Sequence, residues 1–394
     1  PEAVGKLSQG EFTGPAFAVA PPEWYGESSA IGRFIPVVEH TTLTGKAAEL
    51  VGAYDQAMEK GFEGYLANRE QNREYGMLNF GDWWGERRIN WGNIEYDTQH
   101  TLFLQFMRSG DFRYFLAGEQ AERHNMDVDT VWYGRNRGGV YSHCIGHTGS
   151  YYAKSPVEGQ GSPRGGFSVS HTWVEGHLDY YSLTGDRRAL EAADMIADRY
   201  DGSGTVNYDF TNCRVPGWHL ILTMAMYRGT NDPFYLNAAH IVVERTLERQ
   251  TEDGGWERQM VPGHCHDMPR HRGNAGFMVG VLMSGLKYYH EVTGDPRVAN
   301  SIVKAAHFAI DDMWVPDVHG FRYTSCPNSG PIPGLNPRII EGVAYANMLE
   351  PDVKLKQNMI EQMENFHGIS GSGKSFSVQT RSMPKTLVDL VNAF

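Results

Sequence analysis

A short unit in which one helix stops and another starts recurs along this chain and limits what it can fold into. The run Phe103–Ala117, centred on Ser109-Gly110-Asp111, parallels Leu178–Ala192, centred on Thr184-Gly185-Asp186. It returns in Met226–Ala238, with Gly229 and Asp232, and in Tyr288–Ala299, with Thr293-Gly294-Asp295-Pro296. Glycine supplies a left-handed helix stop, aspartate caps the next N-terminus, and proline suits the first helical position. The four aspartates lie 75, 46 and 63 residues apart, so the repeat is a helical hairpin joined by long, variable loops. Antiparallel hairpins of this kind predict a mainly α fold, an (α/α) toroid or barrel whose inner helices line a cleft and whose loops at one end carry the chemistry. A solenoid is the alternative.

Helical periodicity starts near Lys46 and is clear over Ala47–Ala67, where Leu50, Tyr54, Met58 and Phe62 fall on every fourth residue. Before it, Phe17-Ala-Val-Ala, Pro21-Pro22 and Phe34-Ile-Pro-Val-Val read as short extended pieces. The expected division is a 1–45 lead-in from a neighbouring β-rich domain and a toroid over 46–394. The opening at Pro1, without Met, reads as a processed or excised start. With 41% hydrophobic and 21% charged residues, the chain has the material for a sizeable core. A net charge of -12 without a basic run gives no nucleic-acid footprint. No run approaches the roughly 20 apolar residues of a membrane span, and PEAVGKLSQGEF does not read as a signal peptide. Cys144, Cys213, Cys265 and Cys326 form no CxxC pair. Gly368–Ser375 matches the phosphate-loop pattern, but a helix precedes it and a strand-like Ser375–Thr380 follows, the reverse of what phosphate cradling needs.

Four clusters carry the candidate chemistry. Asn79–His100 gathers Asp82, Trp84, Trp91, Asn93 and Glu95 in a Gly-punctuated loop, where indole faces can stack on sugars and amides can bond hydroxyls. Tyr141–Tyr152 holds His143, His147 and Tyr151 at helical spacing; if the segment is a loop, His143 and Tyr152 meet instead. Phe167–Tyr181 places His171 and Glu175 one turn apart beside Trp173, with no HExxH pattern. Val261–Asn274 concentrates His264, Cys265, His266 and Asp267 with Arg270, His271 and Arg272. Adjacent ligands cannot all face one ion, so no metal or other cofactor is assigned, and the arginines read as a carboxylate clamp.

Gly81–Glu86, Asn90–Asp97, Ser170–Gly176 and Leu183–Asp186, with Ala20–Tyr25 leading in, resemble the C-terminal toroid of exo-rhamnogalacturonan lyases of polysaccharide lyase family 26. The resemblance implies β-elimination from a uronic-acid-containing glycan, rhamnogalacturonan-like pectin, and β-rich domains ahead of the toroid. Hyaluronate and chondroitin lyases with similar toroids use Asn, His and Tyr, the Tyr nine residues after the His, as His143 and Tyr152 are spaced. On this reading Asn93 with Arg270 or Arg272 holds the carboxylate, His143 or His147 takes or orients the proton, and Tyr151 or Tyr152 transfers one. Trp84, Trp91 and Trp173 stack on sugars; Glu95, Arg137, His171 and His271 complete the binding set. Polysaccharide degradation points to a secreted or periplasmic protein.

Three rivals compete: a toroid hydrolase pairing Asp82 with Glu95 or Glu175, a carbohydrate-binding scaffold without turnover, and a metal enzyme built on His264, His266 and Asp267. Tyr152→Phe is expected to abolish formation of the ultraviolet-absorbing unsaturated uronate; unchanged turnover would remove Tyr152 from the mechanism.

Overall fold

The recurring turn works through one set of hydrogen bonds. The hydroxyls of Ser109, Thr184, Thr230 and Thr293 each donate to the carbonyl four residues back and accept the N–H of the aspartate two residues on. Asp111, Asp186, Asp232 and Asp295 in turn each accept the N–H two residues further on, capping the next helix. Gly110, Gly185 and Gly294 supply the left-handed stop, with φ of 71°, 75° and 64°. In the third copy Asn231 takes that role at φ 57°, not Gly229 as the sequence pattern implied. Gly229 lies inside the helix against Leu178. A fifth turn lacks glycine altogether, yet Asp352 caps its helix through the N–H groups of Lys354 and Leu355.

A computed structural model describes residues 19–28, 31–37, 42–75, 82–86, 90–142, 167–201, 208, 210, 212–366 and 368–394. Its helices are α1 (Pro22–Ser28), α2 (Gly45–Asn72), α3 (Thr98–Ser109), α4 (Phe112–His124), α5 (Glu175–Thr184), α6 (Arg187–Asp201) and α7 (Arg214–Thr230). They continue as α8 (Pro233–Arg249), α9 (Gly276–Thr293), α10 (Pro296–Met313), α11 (Ile340–Leu349), α12 (Val353–Glu364), α13 (Gly373–Thr380) and α14 (Met383–Val391). Helices α3, α5, α7, α9, α11 and α14 form an inner ring, and α2, α4, α6, α8, α10 and α12 pack outside it. The outer helices bury one stripe each, such as Ala189, Ala192, Ala193 and Ile196 of α6, whereas α9 is buried almost all round from Gly276 to Tyr289. Thr98 of α3 and Ser377 of α13 share a hydrogen bond of 2.7 Å, closing the ring and excluding an open solenoid. The architecture is an (α/α) toroid.

Inner helices α7 and α9 approach through glycine. A Cβ on Gly217 would lie 2.7 Å from Leu282 N, and one on Gly285 would lie 2.8 Å from Gly217 O. Three antiparallel two-stranded ladders sit in the long loops: β1 (Trp83–Glu86) with β2 (Asn90–Gly92), β3 (Arg258–Gln259) with β4 (Arg272–Gly273), and β5 (Trp314–Val315) with β6 (Gly320–Phe321). Trp84 stands opposite Trp91, and Gln259 opposite Arg272.

Two local expectations are corrected. Pro22–Ser28 in the lead-in is a helix, not an extended piece; Pro22 opens it and Tyr25 packs against Phe106. Ser375–Thr380 is helical, because Phe376, Ser377 and Thr380 all bury on one side against the ring. Among the described residues no helix is long and apolar enough to cross a membrane. Asp295→Ala should lower stability by about 1 kcal/mol through loss of the cap. Gly217→Ala should cost about 1–3 kcal/mol, since its neighbour is backbone and cannot rotate away; urea denaturation checks both.

Candidate functional site

Inner helices α3, α5, α7, α9 and α11 each end in a short turn and begin after a longer loop, so those loops gather at one end of the toroid with the N-termini of these helices. Those N-termini carry partial positive charge, which disfavours cations there. Arg214 is nevertheless the first residue of α7 and Lys374 the second of α13. Two cations thus stand beside helix N-termini at this end of the ring.

Both cations join one group of side chains. Lys374 Nζ lies 2.6 Å from Glu95 Oε2, and Glu95 Oε1 lies 3.6 Å from His171 Nδ1. An Arg214 Nη2 stands 3.2 Å from His171 Nε2. A guanidinium can only donate, so Nε2 is the accepting nitrogen and Nδ1 carries the proton that faces Glu95. That contact directs a ring lone pair at Arg214. Half-buried Tyr323 completes the group: burial raises its phenol above the usual range, and Arg214 and Lys374 offset only part of that rise. Its ring meets those of His264 and Phe277 at 5.9 and 5.5 Å.

Beneath this surface Tyr96 packs between Trp173 and Trp218, with centroids at 6.0 and 5.8 Å. Tyr96 and Asp97 both hold left-handed backbone, at φ 62° and 60°, which is costly for side chains of this kind. The Asp97 carboxylate accepts the Gly176 N–H, tying the start of α3 to that of α5. Deeper still, Glu175 receives Arg381, Lys385 and Tyr288.

The sequence-derived residues divide accordingly. His143, His147, Tyr151 and Tyr152 lie outside the described residues; Tyr141 and Phe167, on either side, pair as an antiparallel bridge. Glu95 and His171, both assigned to the binding set, lie 3.6 Å apart. Glu175 does not bond His171, because the ring faces Glu95 while Glu175 is drawn inward by buried cations. Asn93 donates both amide N–H bonds, to Asp129 Oδ1 and Tyr141 O at 2.9 Å each, which leaves it no donor for a carboxylate. Trp84 is 39% exposed and meets Trp91 edge-on, so this pair offers indole surface. Trp173 is only 5% exposed and forms part of the floor; it does not present a face to sugar. Arg137 is exposed near Asp198 of outer helix α6. Arg272 donates to Glu257 O, and His271 lies 2.7 Å from Asp267. Arg270 is half-buried on the same loop. Sequence reasoning missed Arg214, Lys374 and Tyr323; for the first two, a cation in the first turn of a helix was the available signal.

Residues 15–156 match the family described as the PcRGLX-like protein C-terminal alpha/alpha toroid domain. Comparison with curated protein sequences finds no match. Among solved structures, the toroid is similar to a polysaccharide lyase at TM-score 0.58 and 12% identity, over 89% of this chain and 98% of that one. It is similar to an unsaturated glucuronyl hydrolase from Streptococcus agalactiae at TM-score 0.55 and 11% identity, over 90% and 95%. A sugar epimerase from a ruminal bacterium aligns at TM-score 0.54 and 11% identity, over 78% and 86%. At these identities the likeness is one of fold, and the fold is shared by carbohydrate-active enzymes of different chemistry.

Burial pushes the Asp97 carboxyl up from 3.8 to about 6. A raised carboxylate contributes stability below its unfolded value and loses it as pH rises through the folded one. Relative to Asp97→Asn, the protein should therefore lose roughly 3 kcal/mol of stability between about pH 4 and pH 6, read from urea midpoints across that range.

Proposed function

We propose that this toroid is a polysaccharide lyase that cleaves a uronic-acid-containing glycan, of the rhamnogalacturonan type, by β-elimination. The observation that supports it most is the Arg214–His171–Glu95–Lys374 group, which sets an imidazole between a guanidinium and a carboxylate, with a second cation on that carboxylate, at the loop end of the ring.

Elimination needs the C6 carboxylate neutralised so that the C5 proton becomes acidic, a base for that proton, and a proton for the leaving oxygen. In this reading Arg214 and Lys374 bind the uronate carboxylate. Turning the Arg214 fork to the substrate releases His171 Nε2, which takes the C5 proton while Glu95 faces the developing imidazolium. The C5–H electrons form the C4–C5 double bond, the C4–O bond breaks, and a tyrosine hydroxyl protonates the departing oxygen. Tyr323 and the sequence-assigned Tyr152 are the candidates for that last step, with His143 as a second candidate base. The exposed Trp84–Trp91 pair binds sugar. The same reading makes residues 46–394 the catalytic domain and residues 1–45 the segment entering it from a preceding β-rich domain.

A hydrolase is less well supported because both further carboxylates of its proposed pairs are engaged by cations of the chain itself, Glu95 by Lys374 and Glu175 by Arg381 and Lys385. The test is incubation with rhamnogalacturonan I, followed by ultraviolet absorbance and by reducing-end release. Rising absorbance is expected, reduced on the order of 100-fold in His171→Ala, with Arg214→Ala raising KM. Reducing ends without absorbance would replace the lyase by a hydrolase, and glycan binding without either would leave a binding scaffold.

A further inference from the structure

The sequence offered His264, His266 and Asp267 as metal ligands, but tertiary structure assembles a different set. Cys265, Asp267 and His271 come from the β3–β4 loop, and Cys326 comes from the loop after β6. One ligand atom from each lies within 4.8 Å of all the others. The two sulfurs are 3.5 Å apart, Cys326 Sγ is 3.3 Å from Asp267 Oδ2, and that oxygen is 2.7 Å from His271 Nε2.

We propose that Cys265, Asp267, His271 and Cys326 form a structural zinc site. Zinc prefers four tetrahedral ligands, with bonds of about 2.3 Å to sulfur and 2.0–2.2 Å to nitrogen and oxygen. Those bond lengths put ligand atoms about 3.3–3.8 Å apart. The sulfur–sulfur separation of 3.5 Å and the sulfur–oxygen separation of 3.3 Å are close to these, and the Asp267–His271 pair would open by roughly half an ångström. Two thiolates, an imidazole and a carboxylate suit a borderline-soft cation, and magnesium or calcium would select oxygen ligands instead.

The surroundings are arranged as ligand supports. The His271 N–H lies 3.4 Å from Cys265 Sγ, and Asn328 Nδ2 donates to both Asp267 oxygens at 3.1 and 2.9 Å. Such contacts hold first ligands in place before the ion arrives. Both cysteines are buried, in a satellite apolar cluster with Met260, and Thr324 Oγ1 donates to His264 O at 3.0 Å between the same two loops. Those loops carry His264 and Tyr323 to the mouth of the toroid. Four protein ligands leave zinc no open position, so its role is to staple the loops that frame the site. Binding releases the two thiol protons to solvent and involves no electron transfer. The proposal stands whether or not the toroid is a lyase.

The test uses the untagged full chain, purified without chelator. Elemental analysis is expected to find one zinc per chain, and exchange for cobalt(II) to give the visible bands of a tetrahedral thiolate complex. Cys265→Ser/Cys326→Ser should lose both signals. Asp267→Asn keeps the thiols and should weaken zinc binding at least about tenfold, with circular dichroism confirming that each variant is folded. Substoichiometric zinc with no cobalt bands in the folded protein would overturn the proposal. So would a Cys265–Cys326 disulfide in protein purified without reductant, seen as a loss of two hydrogens by mass.

Discussion

The buried carboxylate of Glu175 holds the ring closed. It starts α5 and receives Arg381, which follows α13, and Lys385 of α14, more than 200 residues further along the chain. Tyr288 of α9 adds a third donor from across the ring, and itself accepts from Lys385 at 2.6 Å. Charges this deep are tolerated only when each finds its partners, and removing one strands the others. The same axis holds His100 against Asp179 and Lys287 against Asp389. A half-formed ring would leave these groups unpaired, so the interior favours complete closure over any open stack of hairpins.

Closure also explains why chemistry collects at one end. The compact Ser/Thr-Gly-Asp turns spend their polar groups on each other and leave nothing for a ligand. At the opposite end the chain is longer, and residues from five separate loops or helix starts meet: Glu95, His171, Arg214, Tyr323 and Lys374. The strained Tyr96–Asp97 pair sits where these meet the ring. Tyr96 is wedged between indoles and Asp97 grips the Gly176 amide, so the cost of the left-handed backbone is offset by contacts that set Glu95 and α5 in register.

The helical hairpins were legible because a helix stop and cap are local physics: a left-handed residue, a hydroxyl and an aspartate act within four positions. Gly229 misled because its neighbour Asn231 can adopt the same backbone, and Asp352 escaped because its turn has no glycine. Glu95 and His171 stood out as polar residues among aromatics, yet His171 was paired with Glu175 on helical spacing that its loop does not keep. Trp173 looked like a sugar platform because an indole in the sequence carries no sign of which way it faces.

By itself, then, the sequence determined that the chain is made of capped, antiparallel helices with long loops, since each signal is carried by contiguous residues. Which charges meet was decided only by the tertiary structure. Lys374 reaches Glu95 across most of the chain, and Cys326 reaches Cys265 from another loop. For Lys374 the physical reason is ring closure, which brings the last helices beside the first; for the cysteines it is the packing of two loops at one end of the ring, and no local spacing encodes either proximity.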